Sequence, residues 1–481
     1  MDQIIEKQAL LSRWCPHDRE AVERELAQAL AGNRKKIIVL DDDPTGVQTV
    51  HGVYVYTDWD TDSILDGMNG AGSMFYILTN SRGLTTAQTE KLHGEIARRI
   101  VRVSKETGRD FILMSRSDST LRGHYPLETE VLRKTLESEG YGPVDGEIIM
   151  PFFLEGGRYT ADNTHYVAEG DALVPAGQTE FAKDKTFGYY SSNLRDWVAE
   201  KTKGAFAPES VTCISLEQIR ARDYRGIRAS LDAVTGFNKV IVNAIDYEDV
   251  KVFATALAAS MNSGKRFLFR TAAALPKVLG GIPDQPLLTR GELCDTANRN
   301  GGMVVIGSHV KKTTQQLEAL RSAEFVSLVE FDQHNVVDDD AFQAEIARVN
   351  KITDELLRAG KTVVLYTRRE RFDLNTGNKE DELRLAVRIS DAVTGFVSSL
   401  RVRPNFIIAK GGITSSDVGT KGLLVKKALV IGQIVQGVPV WRTGAESRFP
   451  DMPYVIFPGN VGGVDALLEA VTIMQPNTNT V

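Results

Sequence analysis

The chain has 481 residues, 42% of them hydrophobic and 25% charged, with a formal net charge of -6. It is too long for one ordinary hydrophobic core, and too acidic for a nucleic-acid binder that works through a basic footprint. Cys15, Cys213 and Cys294 lie far apart without C-x-x-C spacing, and no stretch has a secretory leader's pattern or the roughly 18 to 20 apolar residues of a membrane span, so a two-domain cytoplasmic enzyme in a reducing compartment is expected.

Val22, Leu26 and Leu30 recur at helical spacing over residues 17–31, which predicts an amphipathic lead-in helix. The apolar run Lys36–Leu40 stops abruptly at Asp41-Asp42-Asp43-Pro44-Thr45-Gly46, as expected where a buried strand delivers polar groups to its C-terminal edge. The pattern repeats. Residues 73–79 end in Asn80-Ser81-Arg82-Gly83 and lead into a long helical stretch from Thr85 to Glu106, and residues 110–114 end in a polar loop from Ser115 to Gly123. Alternation of short strands and long helices predicts an α/β fold, with two α/β domains that each hold a largely parallel sheet flanked by helices.

Residues 151–190 break this rhythm with Gly, Tyr, Thr and Asp clusters, and read as hairpins and loops that cover a sheet edge and help enclose substrate. Alternation resumes with a strand at 239–243, a helix at 247–261 and a strand at 265–269. The polar stretch from Cys294 to Gly302 is the candidate boundary, giving domains 1–295 and 296–481. Strands in the second domain are expected at 303–306, 325–331, 362–366, 406–409 and 454–457.

Three consecutive carboxylates, Asp41 to Asp43, repel one another, a cost usually tolerated where a cation or a proton transfer compensates. Such a loop can deprotonate a hydroxyl or hold Mg²⁺ through oxygen. The loop 116–123 adds Arg116, Asp118, Ser119, Thr120 and Arg122, and Ser81-Arg82 ends a neighbouring strand. Arginine forks bind carboxylates bidentately while Ser, Thr and Asp read hydroxyls, so the set suits a short polyhydroxy acid. An Asx turn at the aspartates, or an Arg122–Asp118 ion pair beneath the loop, are the purely structural alternatives.

In the second domain Gly307-Ser308, Gly411-Gly412-Ile413-Thr414 and Gly459-Asn460-Val461-Gly462 follow expected strands. Glycines let backbone N–H groups approach an anion and following helices point their positive ends at it, so a nucleotide phosphate cradle is expected. Ala359-Gly360-Lys361-Thr362 only imitates a P-loop tail, because Glu355 stands where glycine is needed and a strand follows. No G-x-G-x-x-G follows a strand, which disfavours a nicotinamide-dependent dehydrogenase. The histidines lack metal-ligand spacing, so no metal site is assigned to the chain.

The strings Asp42-Asp43-Pro44-Thr45-Gly46, Ser81-Arg82 and Asp118-Ser119-Thr120-Leu121-Arg122-Gly123, with the three glycine elements downstream, resemble the four-carbon acid sugar kinase family in order and over almost the whole chain. The resemblance implies an N-terminal acid-sugar domain, a C-terminal ATP domain, and Mg²⁺-assisted phosphoryl transfer in the cleft between them to a terminal hydroxyl of an acid such as threonate or erythronate. The mechanism expected of such a chain takes Asp43, or else Asp42, as the base, with Arg82, Arg116 and Arg122 holding the acid's carboxylate. The resemblance gives Ser81, Arg82, Arg116, Asp118, Ser119, Thr120 and Arg122 to the substrate, and Ser308, Gly411, Gly412, Ile413, Thr414, Gly459 and Asn460 to the nucleotide. Arg116, His124, Pro44 and Pro458 depart from the family's usual residues. The expected partner is a small sugar acid, with neither nucleic acid nor membrane, and a homo-oligomer is compatible with such a chain. A non-catalytic sensor of nucleotide and sugar acid is the alternative from another class.

Overall fold

The computed structural model describes residues 3–370, 379–459 and 461–475. Two compact units emerge, one from Met1–Thr49 with Asp58–Asp284, the other from Val50–Thr57 with Gln285–Val481. The division falls between Asp284 and Gln285, and the polar stretch 294–302 belongs to the second unit. Its asparagines are bonded in place: the Asn298 and Asn300 amides donate to the Arg403 carbonyl at 3.4 and 2.9 Å. Richness in Asn and Gly there reflects a knitted turn, a demand for side-chain hydrogen bonds that composition alone cannot tell from a linker.

The main sheet of the first unit runs in the order Thr212–Ile214, Asn238–Val242, Gly146–Met150, Phe267–Thr271, Phe111–Arg116, Lys36–Asp41, Met74–Leu78, all parallel. Lys36–Asp41 is buried throughout, with Ile37, Ile38 and Val39 fully covered, as a strand covered by helices on both faces must be. Each such side chain contributes about 1.5–3 kcal/mol of burial. Within this unit the next strand, Met74–Leu78, pairs with it on one side and Phe111–Arg116 on the other, so the chain changes direction around Lys36–Asp41. A crevice opens at the carboxyl ends of parallel strands where the order reverses in this way.

The helix Thr86–Thr107 starts on a reciprocal Thr85–Gln88 capping box and stops at Gly108, whose φ of 66° is left-handed. Residues Arg158–Ala161, Thr164–Glu169 and Ala172–Pro175 form an antiparallel meander edged by Ile5–Glu6. The expected hairpins are therefore a separate small sheet.

In the second unit the order is Val53–Tyr56, Lys427–Val435, Val438–Thr443, Pro453–Phe457, Ile407–Lys410, Met303–Ile306, Thr362–Thr367, Val326–Phe331. The strands from Pro453–Phe457 onward are parallel, and the three before them are antiparallel. Met303–Ile306 is its reversal point, with Ile407–Lys410 on one side and Thr362–Thr367 on the other. No helix among the described residues is long and apolar enough to cross a membrane.

Candidate functional site

Three adjacent strand ends in the first unit create a lattice of charge. Asp41 closes its strand, and Arg116 closes the neighbouring one with its Nη1 at 3.2 Å from Asp41 Oδ1 and 3.6 Å from Asp42 Oδ1. Arg82, on the short turn after Met74–Leu78, sets its Nε 3.1 Å from Asp42 Oδ2, pairs with Asp43 through Nη2, and reaches Asp118 Oδ1 at 3.8 Å. Gly46 makes the packing feasible, because a Cβ there would fall 1.9 Å from Asp41 Oδ2. Asn80 and Leu121, which flank these loops, take left-handed φ values of 55° and 67°. Such strain gathers where a surrounding structure over-determines the backbone.

Each carboxyl responds to its own surroundings. Burial, opposed by Arg116, pushes Asp41 up to about 7, and burial opposed by Arg82 pushes Asp42 up to about 6. Burial acts on Asp43 as well, but Arg82 and the Thr45 hydroxyl and N–H outweigh it and hold its carboxyl below the ordinary value. Asp43 is also the most accessible of the three. Asp42 Oδ1 is buried without a hydrogen-bond donor.

Asp118 joins this lattice to Arg122, whose Nε donates to Asp118 Oδ2 at 2.7 Å, while its Nη1 lies 3.7 Å from Asp184. Against burial, Arg122 and then Arg82 keep the Asp118 carboxyl far below the ordinary range. Thr120 donates to Asp118 through its hydroxyl, and the Ser119 carbonyl lies 2.8 Å from His165 Nε2. Ser81 is fully buried and donates to Glu128 at 2.6 Å. Sequence reading had passed over Glu128, Asp184, Tyr189 and Arg158, whose relation to the loop is purely tertiary. The Tyr189 hydroxyl donates to the Thr120 carbonyl at 2.7 Å, so the meander region and the 118–123 loop are fastened together.

The second unit gathers its own strand ends. Gly411 has a φ of 114°, and a Cβ there would lie 3.1 Å from Ser308 Cβ and 3.5 Å from Thr414 Oγ1. Thr313 donates to Ser308 Oγ at 3.5 Å and to the Gly459 carbonyl at 3.3 Å. Ser308, Gly411, Thr414 and Gly459 thus meet; Gly412 opens the next helix and Ile413 is exposed. Asn460 lies outside the described residues. The helix Lys311–Arg321 begins beside Ser308, and its N-cap residue Val310 makes no side-chain cap hydrogen bond.

Two cations stand here as well, Lys410 at the head of the Gly411-Gly412 element and Arg369, which carries no motif, and both obey the rule that polar groups follow parallel strands. Arg369 donates to the Ser308 carbonyl at 2.6 Å and to Thr314 Oγ1 at 2.9 Å. Lys410 donates to the Pro458 and Gly459 carbonyls, and burial, aided by Lys312, draws its ammonium down to about 7.

One unit with a sheet-end lattice of acids and guanidiniums, and another with a glycine- and hydroxyl-lined sheet end, define a class of two-domain proteins with a sugar-binding and a nucleotide-binding half. Residues 37–279 match the family model described as a sugar-binding N-terminal domain, and residues 303–467 match the nucleotide-binding C-terminal domain. The chain belongs to the four-carbon acid sugar kinase family. It is 23% identical over 338 residues to a D-erythronate kinase of Heliobacterium modesticaldum, covering 66% of this chain and 68% of the relative. The fold is shared with Haemophilus influenzae protein HI1011, at a TM-score of 0.60 and 18% identity over 91% of this chain and 100% of the other. It is shared too with a tRNA synthase candidate of Salmonella typhimurium LT2, at a TM-score of 0.64 and 15% identity over 90% and 98%.

Proposed function

We propose that the protein transfers the γ-phosphoryl group of ATP to a terminal hydroxyl of a four-carbon sugar acid such as erythronate or threonate. The observation that carries this reading is the split in state among Asp41, Asp42 and Asp43: one carboxyl held ionised and accessible beside two whose burial raises them. A hydroxyl placed against Asp43 gives up its proton there, with Asp42 next in line. Arg82 and Arg116 hold the crowded carboxylates together, and Asp118 with Thr120 and Arg122 reads the substrate's polar groups.

On the nucleotide side, the room left by Gly411 and the hydroxyls of Ser308 and Thr414 fit phosphate oxygens. The uncapped N-terminus of Lys311–Arg321 supplies N–H groups beside them. Gly412, Ile413, Gly459 and Asn460 complete the nucleotide set. Mg²⁺ arriving with the nucleotide would neutralise phosphate charge, and the Asp41–Asp43 loop offers the oxygen ligands such an ion takes. Phosphoryl transfer then depends on positioning and charge stabilisation by these residues. Three free cysteines support a reducing cytoplasmic setting.

The test is ADP release from Mg-ATP with the erythronate and threonate stereoisomers and with three- to six-carbon sugar acids. Release with one four-carbon acid is expected. ATP binding without ADP release across that panel would replace the kinase by a sensor of nucleotide and acid.

A further inference from the structure

Among the five arginines around the first unit's site, Arg82 and Arg116 are each committed to at least two carboxylates. They act as counter-ions to Asp41, Asp42 and Asp43, which leaves them poorly placed to grip an incoming acid. Arg122 is committed to Asp118 and more loosely to Asp184. Arg270 is buried against Tyr125 and Trp197 and donates to the Arg122 carbonyl at 2.9 Å.

Arg158 differs from Arg82, Arg116 and Arg122 in having no carboxylate ion-pair partner among the described residues, and from the equally unpaired Arg270 in being only half-buried rather than sealed against Tyr125 and Trp197. It begins the meander's first strand, its Nη1 donates to the Gly156 carbonyl, and its Nε, like those of Arg82, Arg116 and Arg270, has no hydrogen-bond partner. Burial, together with Arg122 and only partly offset by Asp118, draws its guanidinium below the ordinary value. A half-buried guanidinium with spare donors is costly unless an anion completes it.

The place of Arg158 says which anion. Its Cζ lies 5.5 Å from the centre of the Phe181 ring, and the Arg122 Cζ lies 5.1 Å from the same centre. One aromatic ring therefore orients two guanidinium groups. His165 and Tyr189, bonded to the Ser119 and Thr120 carbonyls, hold the meander region against the Asp118–Gly123 loop and fix Arg158 relative to Arg122. Asp118 connects this end to Arg82, at 2.7 Å from Arg122 and 3.8 Å from Arg82, so an acid held by Arg158 would present its hydroxyl end toward the aspartates.

We infer that Arg158, held beside Phe181, is the residue that grips the substrate's carboxylate and so selects acids over the corresponding polyols. This inference rests on the sugar-acid kinase reading above. It moves the anchoring role away from Arg82 and Arg116 and onto a residue of the antiparallel meander.

The test compares the acid panel with erythritol and threitol, which lack the carboxylate, in the full-length protein and in Arg158→Gln, Arg158→Lys and Phe181→Leu. Losing a charge-assisted bidentate contact should raise KM for the acid about 10- to 100-fold in Arg158→Gln, with KM for ATP unchanged. Preference for acid over polyol should collapse by a similar factor. Arg158→Lys should recover part of the loss, since it keeps the charge and loses the fork. Phe181→Leu should give a smaller rise of about threefold to tenfold. If acids turn over but KM in Arg158→Gln stays within about threefold of the parent, with Phe181→Leu equally silent, the anchoring role is overturned while the kinase reading stands. If no acid turns over or binds by calorimetry in the parent protein, the kinase reading falls and this inference falls with it.

Discussion

Charge is distributed very differently at the two sheet ends. In the first unit seven charged residues, Asp41, Asp42, Asp43, Arg82, Arg116, Asp118 and Arg122, interlock within ion-pair distance. In the second, Ser308, Gly411, Thr414 and Gly459 offer hydroxyls and backbone, with Lys410 and Arg369 behind them bonded to carbonyls. Both are reversal points of parallel sheets, so the fold supplies the same crevice twice. The side chains decide its chemistry. A lattice of buried charge sets protonation states one against another, whereas a glycine-lined edge lets an anion approach backbone N–H groups closely.

The sharpest way to break this comparison is to remove the ionised carboxyl from the charged end. Asp43→Asn should lower kcat about 10²- to 10⁴-fold, the range typical of a lost general base, with KM for ATP little changed. Its pH profile sharpens the assignment. Asp43 sits below the ordinary carboxylate value and Asp42 near 6, so a base at Asp43 keeps the acidic limb of kcat at low pH. A limb near pH 6 that disappears in Asp42→Asn would transfer the role to Asp42. Near-normal turnover in both variants would end the carboxylate-base mechanism.

At the glycine-lined end the expected effect is smaller and falls on binding. Gly411→Ala forces a side chain into a backbone conformation with φ of 114° and brings a methyl to 3.1 Å from Ser308 Cβ. KM for ATP should rise about tenfold to a hundredfold, since strain of about 1–3 kcal/mol and a filled cradle act together. KM for the acid should stay near its parent value. Equal loss of both substrates, measured in the same assay, would mean that the two ends do not divide the labour as their chemistry suggests.

Much of this division could be read from the chain. Short apolar runs ending in polar loops located most of the parallel strands, and the clustering of Asp42, Asp43, Arg82, Asp118 and Arg122 followed from the rule about strand ends. Other elements resisted for physical reasons. Gly146–Met150 is a central strand, yet Glu147 interrupts its apolar run, because a fully buried pair with Lys239 at 2.6 Å compensates the charge. The hairpin Lys427–Val435 and Val438–Thr443 was hidden by register shifts and by Gly432 and Gly437, both at positive φ. Ser81 reads as a substrate contact from its place after a strand, but it turns inward to Glu128. Arg158 carries no local signal at all: only the folding of the meander region onto the 118–123 loop brings it beside Arg122.

A second charged cluster in the first unit tests whether interlocked acids must mean function. His17, Asp246 and Asp249 bring ligand-type atoms within 4.8 Å of one another, a grouping that could suit a metal ion. Arg220 already occupies the space between the carboxylates, with Nη2 at 2.6 Å from Asp246 and Nε at 2.7 Å from Asp249, and His17 Nε2 lies 2.9 Å from the same Asp249. A dication would have to expel a guanidinium. Asp246 is also the N-cap of the helix Tyr247–Asn262, its side chain accepting from the Asp249 N–H, so the cluster's work is to start that helix and fasten the segment around His17. Dialysis against EDTA should leave the melting temperature unchanged. Arg220→Ala should lower stability by about 3–5 kcal/mol, the cost of leaving a buried carboxylate without its partner, while kcat at a permissive temperature stays within about twofold of the parent. A large fall in melting temperature on chelation, restored by one added divalent ion, would show instead that the guanidinium yields its place to a metal.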